Sequence, residues 1–339
     1  MAKKVIFEKK NILIIGGAGF IGSHLCDELV KIAKVICVDN FSSGSERNID
    51  HLLSNPDFVF INHDISTPID LASLPELQKF KVQFQGIQEI YNLSCPTSPK
   101  HFMENRLSTL AVNSIGVKNL LDLAVYYEAK FLQFSSSVVY GLRDEKNPSE
   151  QVFEEYIGAV DPISPRSSYD EGKRFAESLI QNYHDVYNLD AKIIRVFRTY
   201  GPRMPLGDEQ MIPDFINSAL DGNDLVIFGK ENFSSSFCYV SDVVDAAIKV
   251  MDGGGFGPYN IGSDVDSSFK KIAEIIISET SSTSKIRFEE GKLFMTELRL
   301  PCIKKIRNEM SWMPVVTMEN GLKKTIFDLQ AQKQLQKFQ

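Results

Sequence analysis

The feature that most constrains this chain sits close to its start. The apolar stretch Asn11-Ile12-Leu13-Ile14-Ile15 runs directly into Gly16-Gly17-Ala18-Gly19-Phe20-Ile21-Gly22, and helical spacing of apolar residues continues over 20–33. A strand that stops on glycines and restarts at once as a helix leaves the first helical N–H groups unpaired, next to the positive end of the helix dipole. Glycines there let the backbone close a tight turn and approach an anionic group such as a pyrophosphate. The GxxGxxG spacing alone is a weak signal. Its force comes from the strand before it and the helix after it.

The rest of the first half repeats the same alternation. Short apolar runs at 34–38, 58–61, 89–93, 131–134 and 192–196 read as strands, and the spacing predicts long helices over 109–127 and 169–187. Strands that lack polar alternation and are separated by helices belong in a parallel sheet covered on both faces, so the expected fold class is α/β, a doubly wound Rossmann sheet. Past residue 201 the rhythm changes, with Pro202, Pro205, Pro213 and several glycines breaking up shorter elements. This predicts a Rossmann domain over 1–200 and a smaller substrate-binding lobe over 201–339, with some chain returning to the sheet. The tail over 322–338 reads as a solvated amphipathic helix.

Composition narrows the partners. The 339 residues are 43% hydrophobic and 24% charged, with a net charge of −7, which argues against nucleic acid or an anionic membrane as the main partner. No apolar run approaches the ~20 residues of a membrane-spanning helix. The basic-then-apolar N-terminus runs into the glycine turn with no small-residue cleavage site, so a cytoplasmic location is expected. The five cysteines, Cys26, Cys37, Cys95, Cys238 and Cys302, form no CxxC pair and have no matching histidine cluster, so reduced thiols and no metal site are expected.

Asp39 closes the second strand, 23 positions after Gly16. A carboxylate there accepts from both hydroxyls of an adenosine ribose and repels a 2′-phosphate, so the cofactor indicated is NAD. After the third strand, Asp64 suits either an adenine amino group or a simple turn. The second strong signal is Tyr169-Asp170-Glu171-Gly172-Lys173. Tyr169 and Lys173 lie at i and i+4, on one helix face. An ammonium there lowers the phenol's pKa, which lets Tyr169 take a proton from a substrate hydroxyl. The strand-end run Ser135-Ser136-Ser137 offers a hydroxyl to orient the substrate oxygen, with Ser136 chosen by register and Ser137 its rival.

Together these residues resemble the extended short-chain dehydrogenase/reductase family that modifies nucleotide sugars, over about residues 11–329. Within that family the resemblance is nearest to UDP-glucuronate decarboxylases. It is carried by GGAGFIGSHL, VDNFSSGSERNI, LSCPTSP (93–99), SPRSSYDEGKR (164–174), TYGPRM (199–204) and YVSD (239–242). The resemblance implies a nucleotide-sugar substrate, polysaccharide precursor synthesis as the setting, and a homodimer built through the two long helices. It adds Phe20, Ile21, Asn40, Ser43, Gly44 and Ile65 to the cofactor contacts. It also sets Leu93 and Ser94 on the nicotinamide side and makes Asn113 a support of the active site. Pro96, Ser98 and Arg203 enter as substrate contacts.

The departures from the decarboxylase pattern bear on the reaction. Val138 stands where decarboxylases carry a glutamate, and Phe102 where they carry a tyrosine that touches the uronate carboxylate. Arg198 replaces an asparagine, while Ser235 replaces an arginine that holds the diphosphate, so Arg198 is expected to take over that contact. Arg299 matches an arginine used near the sugar. A 4,6-dehydratase carries Asp-Glu where this chain has Ser137-Val138. The expected chemistry is oxidation at sugar C4, as in a 4-epimerase or 4-dehydrogenase, with UDP-glucuronate decarboxylation as the alternative. A non-enzymatic NAD sensor is the rival from another class, and the Tyr/Lys pair argues against it.

Overall fold

The structure is a computed structural model and describes residues 9–143, 146, 147, 150–290 and 298–336. The start of the basic N-terminus and the end of the predicted tail helix therefore lie outside the described residues.

Seven strands form one sheet: β1 (Asn11–Ile15), β2 (Lys34–Asp39), β3 (Phe58–Asn62), β4 (Glu89–Asn92), β5 (Lys130–Ser136), β6 (Ala191–Val196) and β7 (Tyr259–Ile261). Their spatial order is β3-β2-β1-β4-β5-β6-β7, and the pairs β1–β2, β2–β3, β1–β4, β4–β5 and β6–β7 are parallel. This is the doubly wound order, in which the chain reverses direction across the sheet between β1 and β4. All five residues of β1 are buried, as expected for a strand covered on both faces.

Several element ends differ from the spacing-based reading. The first helix, Phe20–Leu29, stops short of residue 33 because a turn follows, with the N–H groups of Ile32 and Ala33 donating back to Leu29. The helix expected over 109–127 starts at Arg106 and contains one π-helical turn, Val112–Gly116, before continuing as Val117–Tyr127. An inserted π turn advances the chain by one residue, and apolar spacing alone cannot reveal it. The tail helix, Met318–Gln336, is not simply solvated. Leu322, Thr325 and Leu329 are fully buried, and the Lys333 ammonium reaches Asn217 Oδ1 at 2.7 Å and Asp221 at 2.5 Å.

The chain forms two compact units. The first comprises the described residues of Met1–Pro96, Leu107–Phe134 and Arg174–Ile193, and the second those of Thr97–Arg106, Ser135–Lys173 and Ile194–Gln339. The division expected at residue 200 is thus spread over five crossings. The carboxyl ends of β5 and β6 and the opening turns of helix Ser167–Tyr187 belong to the second unit, so no single cut in sequence coincides with the cut in space.

The second unit is organised around Asn260, which is fully buried on β7. Its backbone N–H donates to Glu154 at 2.9 Å, and its Nδ2 donates to the carbonyls of Val152 at 2.9 Å and Cys302 at 3.2 Å. Its Oδ1 accepts from the Tyr140 hydroxyl at 2.7 Å, and Tyr140 in turn accepts from Arg195 at 2.8 Å. Four segments distant in sequence are tied through this one amide, and losing it strands several buried polar groups. Asn260→Leu is expected to cost about 3 kcal/mol of unfolding free energy in a denaturant titration. A loss under about 1 kcal/mol would show that this network carries little weight.

Candidate active site

In the first unit the glycine turn is shaped by what it lacks. Gly16 adopts a left-handed φ of 77°, its N–H donates to Val38 at 2.8 Å, and its carbonyl accepts from Gly19 at 3.2 Å. A Cβ on Gly22 would lie 2.1 Å from the Gly16 carbonyl oxygen, so only glycine allows the helix to start this close to β1. A Cβ on Gly16 would meet the backbone of Leu93 and Ser94 at 3.0 Å, which puts the end of β4 against the same turn. Helix Phe20–Leu29 opens at Gly19, whose missing side chain leaves the first-turn N–H groups without a local cap. Phe20 and Ile21 lie in that first turn.

Asp39, buried at the end of β2, accepts from the N–H groups of Ala18 at 3.0 Å and Phe41 at 2.8 Å. Burial pushes its carboxyl up against the pull of those two bonds. Each oxygen keeps a lone pair for a ribose hydroxyl. Gly44 packs on the far side, where a Cβ would come within 3.0 Å of Asp39 Oδ1. The uncapped helix start, the glycine cradle and the oriented carboxylate fit the pyrophosphate and ribose of a dinucleotide. Asn40, Ser43 and Asp64 are exposed on the loops beyond β2 and β3. Asp64 caps its own turn by accepting from Ser66 at 2.8 Å, and Asn40 donates to it at 3.3 Å. Ile65 is buried, its carbonyl accepting from Asn119 at 2.9 Å. Ser94 donates to the buried Asn92 at 2.6 Å, and Asn92 donates to Gln133 at 2.8 Å.

Asn113 lies in the π-helical turn. Its Nδ2 donates to the Thr109 carbonyl at 2.8 Å and contacts Cys95 Sγ at 3.1 Å, while its buried Oδ1 has no hydrogen-bond partner among the described residues. An orphaned buried acceptor beside a π turn is the kind of strained feature that collects at functional sites.

In the second unit, Tyr169 and Lys173 are almost fully buried on the first turns of helix Ser167–Tyr187, and the Lys173 ammonium lies 6.0 Å from the Tyr169 ring centre. Ser136 and Ser137 are buried where β5 ends, and the Ser136 hydroxyl accepts from the Val138 N–H at 3.4 Å. Val138 is also buried, in the short turn Ser137–Tyr140. Phe102 is only 1% exposed and stacks parallel on Tyr169, with ring centres 5.1 Å apart and planes within 6°. It is therefore part of the tyrosine's wall as well as a candidate substrate contact. Ser98, expected at the substrate, caps helix Pro99–Glu104 by accepting from His101 at 3.3 Å.

The guanidinium of Arg198 reaches Ser235, with Nε donating to its hydroxyl at 3.1 Å. Burial and then the field of Arg166 lower the Arg198 pKa to about 10. Ser235 lies on strand Ser234–Ser236, which is anchored by the buried Arg143: its Nη1 donates to the Ser234 carbonyl at 3.1 Å and its Nη2 pairs with Asp266 at 3.0 Å. Arg299 lies over the Tyr156 ring at 4.4 Å and donates to its hydroxyl at 2.9 Å. Arg203 has a left-handed φ of 69°, and its backbone N–H donates to Asp328 at 2.7 Å. Pro96 is the last residue of the first unit's opening segment and is buried. Sequence reasoning missed Arg166, Tyr156 and Arg143. Arg166 precedes Tyr169 by three positions in a run already singled out, so helical spacing could have found it. Nothing local marks the other two.

Gly22→Ala is expected to weaken NAD binding more than tenfold by calorimetry, because the methyl group forces the helix start away from Gly16. Unchanged affinity would remove the glycine turn from the cofactor site.

Comparison with known proteins agrees with this geometry. The sequence profile of the NAD dependent epimerase/dehydratase family matches residues 12–262. Among curated relatives, UDP-glucuronic acid decarboxylase 1 of Xenopus tropicalis is 37% identical over 320 residues, covering 94% of this chain and 72% of its own length. UDP-glucuronic acid decarboxylase 3 of Arabidopsis thaliana is 37% identical over 313 residues, covering 92% and 86%. Among solved structures, UDP-glucuronic acid 4-epimerase from Bacillus cereus, in complex with UDP-glucuronic acid and NAD, superposes with a TM-score of 0.81 at 25% identity, covering 95% of this chain and 99% of its own. The chain belongs to the NAD dependent epimerase/dehydratase family, the extended short-chain dehydrogenases/reductases, and is an NAD-dependent enzyme of nucleotide sugars.

Proposed function

We propose that the enzyme oxidises C4 of a nucleotide-linked sugar and keeps all of its carbon, as a 4-epimerase or 4-dehydrogenase. Bound NAD supplies the hydride acceptor and, for epimerisation, the returning donor. Tyr169 takes the proton of the C4 hydroxyl, and the Lys173 ammonium one helical turn away favours the phenolate. Ser136, with Ser137 beside it, donates to the reacting oxygen. Arg198, held at Ser235, takes the diphosphate through a guanidinium fork.

The observation that carries the non-decarboxylating reading is a pair of buried apolar side chains. Phe102 and Val138, both buried in the same unit as Tyr169, replace the tyrosine and glutamate that the decarboxylase pattern would set there. Without those two polar groups the carboxylate loses contacts that would orient its bond to C5 for cleavage against the C4 ketone, which takes up the electron pair when CO2 leaves. The second reading, a UDP-glucuronate decarboxylase giving UDP-xylose or its 4-keto precursor, is favoured by the 37% identity to proteins of that name across 94% of this chain and by Arg299. Incubating enzyme and NAD with UDP-glucuronate separates the two. The C4 epimer or the intact 4-keto uronate supports the first reading, whereas release of CO2 with UDP-pentose formation establishes the second. Tyr169→Phe is expected to lower turnover by roughly 10²–10⁴ while NAD still binds. A variant with full turnover would leave Tyr169 without a chemical role.

We also infer a homodimer through the two long helices. Tyr126, Phe175 and Tyr187 are more than half exposed on them, and the Tyr183 hydroxyl bonds Asp122 at 2.6 Å to clamp the pair into one face. Exposed aromatics grouped this way mark a protein-binding surface. Light scattering is expected to give twice the chain mass for the native protein and the single-chain mass for Phe175→Glu. A native monomer would contradict this inference.

A further inference from the structure

Phe102 lies flat on Tyr169, so whatever fixes Phe102 also limits where the phenol can point. Phe102 sits on helix Pro99–Glu104, only six residues long. A helix of under two turns has little stability of its own and keeps its place through tertiary contacts. Two such contacts come from the side chains just before Phe102. His101 Nε2 lies 2.9 Å from Asp208 Oδ1, and Lys100 Nζ donates to the Gly207 carbonyl at 3.5 Å. Successive helical residues point about 100° apart, so His101 can face the loop over 201–210 while Phe102 faces Tyr169.

That loop depends on the same contacts. Gly207 has a left-handed φ of 73° and Glu209 one of 55°, which a residue with a side chain holds only under outside constraint. Between them Asp208 is 5% exposed. Besides His101, its carboxylate meets Gln210 Nε2 at 3.5 Å, a weak contact. A buried carboxylate needs a close donor, and the His101 ring N–H is one whether the ring is neutral or protonated. Residues 97–106, 169 and 201–210 all belong to the second unit.

We propose that His101 is a positioning residue for the catalytic tyrosine: by holding the buried Asp208 carboxylate it pins helix Pro99–Glu104 to the loop over 201–210 and keeps Phe102 flat on Tyr169. The inference rests on the reading in which Tyr169 is the base. Without this bond Asp208 turns out to water, the short helix loses its anchor, and Phe102 no longer confines the phenol. Proton transfer requires the phenol oxygen within hydrogen-bond reach of the C4 hydroxyl, so turnover falls while the glycine turn of the first unit still holds NAD.

The test compares wild-type enzyme, His101→Leu and His101→Gln with NAD bound, measuring kcat with whichever of UDP-glucuronate and UDP-glucose the wild-type enzyme turns over faster. A glutamine amide reaches as far as the histidine Nε2 and keeps the bond to Asp208, whereas leucine has no donor. His101→Leu is expected to lower kcat about tenfold with NAD affinity within about twofold, and His101→Gln to stay within about threefold of wild-type kcat. A leucine variant with wild-type kcat overturns the inference, as does a glutamine variant as slow as the leucine one. The Phe102→Leu background separates positioning from a general loss of structure. Because His101 acts through the Phe102 ring, adding His101→Leu there is expected to slow turnover by less than about twofold, and a further tenfold loss contradicts the inference. If His101→Leu does not fold, His101→Asn, whose amide is too short to reach Asp208, takes its place with the same expectations. Failure of the underlying reading looks different, because it appears as full turnover in Tyr169→Phe.

Discussion

A single missing carbon governs the dinucleotide half of this protein. With 2.1 Å between the position of a Gly22 Cβ and the Gly16 carbonyl oxygen, no other residue lets helix Phe20–Leu29 begin where it does. The consequences run outward. The first-turn N–H groups stay close to the end of β1, the Ala18 N–H meets the Asp39 carboxylate, and the end of β4 closes on Gly16. Asp39 is oriented by bonds to backbone, so its direction is set before any ribose arrives. That is what preorganisation means here: the geometry that would cost free energy to assemble on binding is built during folding.

The proton-transfer half follows a different logic, in which burial and stacking fix side chains that would otherwise rotate. Tyr169 is walled by Phe102, Phe102 is covered by Arg166, and Arg166 is forked onto Asp170. Each layer restricts the one beneath it, and the outermost is charged. The field of Arg166 also adds to the burial that lowers the Arg198 pKa, and both residues belong to the second unit.

Much of this was legible in the sequence wherever a function depends on residues a few positions apart. The glycine turn, the acid at the end of β2, and the Tyr/Lys pair one helical turn apart are local patterns, and strand and helix periodicities order the sheet. What escaped depends on chain segments that meet only after folding. Phe102 and Tyr169 are separated by 67 positions, and no periodicity predicts that their rings lie parallel. The π-helical turn at Val112–Gly116 leaves the apolar spacing around it intact, and the five crossings between units follow from strands whose two ends serve different neighbours. That Arg198 would stand in for an arginine missing at Ser235 is an expectation drawn from two departures along one resemblance. The 3.1 Å bond between them, and the anchoring of that strand by Arg143, arise only when segments far apart in the chain meet.

The central claim is that carbon 4 of the sugar gives up hydride while Tyr169 handles only the oxygen-bound proton. The most direct measurement follows deuterium placed at C4 of an accepted nucleotide sugar through a single turnover, by NMR of sugar, cofactor and solvent. Hydride transfer keeps the label bound to carbon, in the sugar or in the reduced nicotinamide, and lets none enter water. Deuterium appearing in the solvent would mean that the C4–H bond breaks as an acid rather than as a hydride, and would contradict the account.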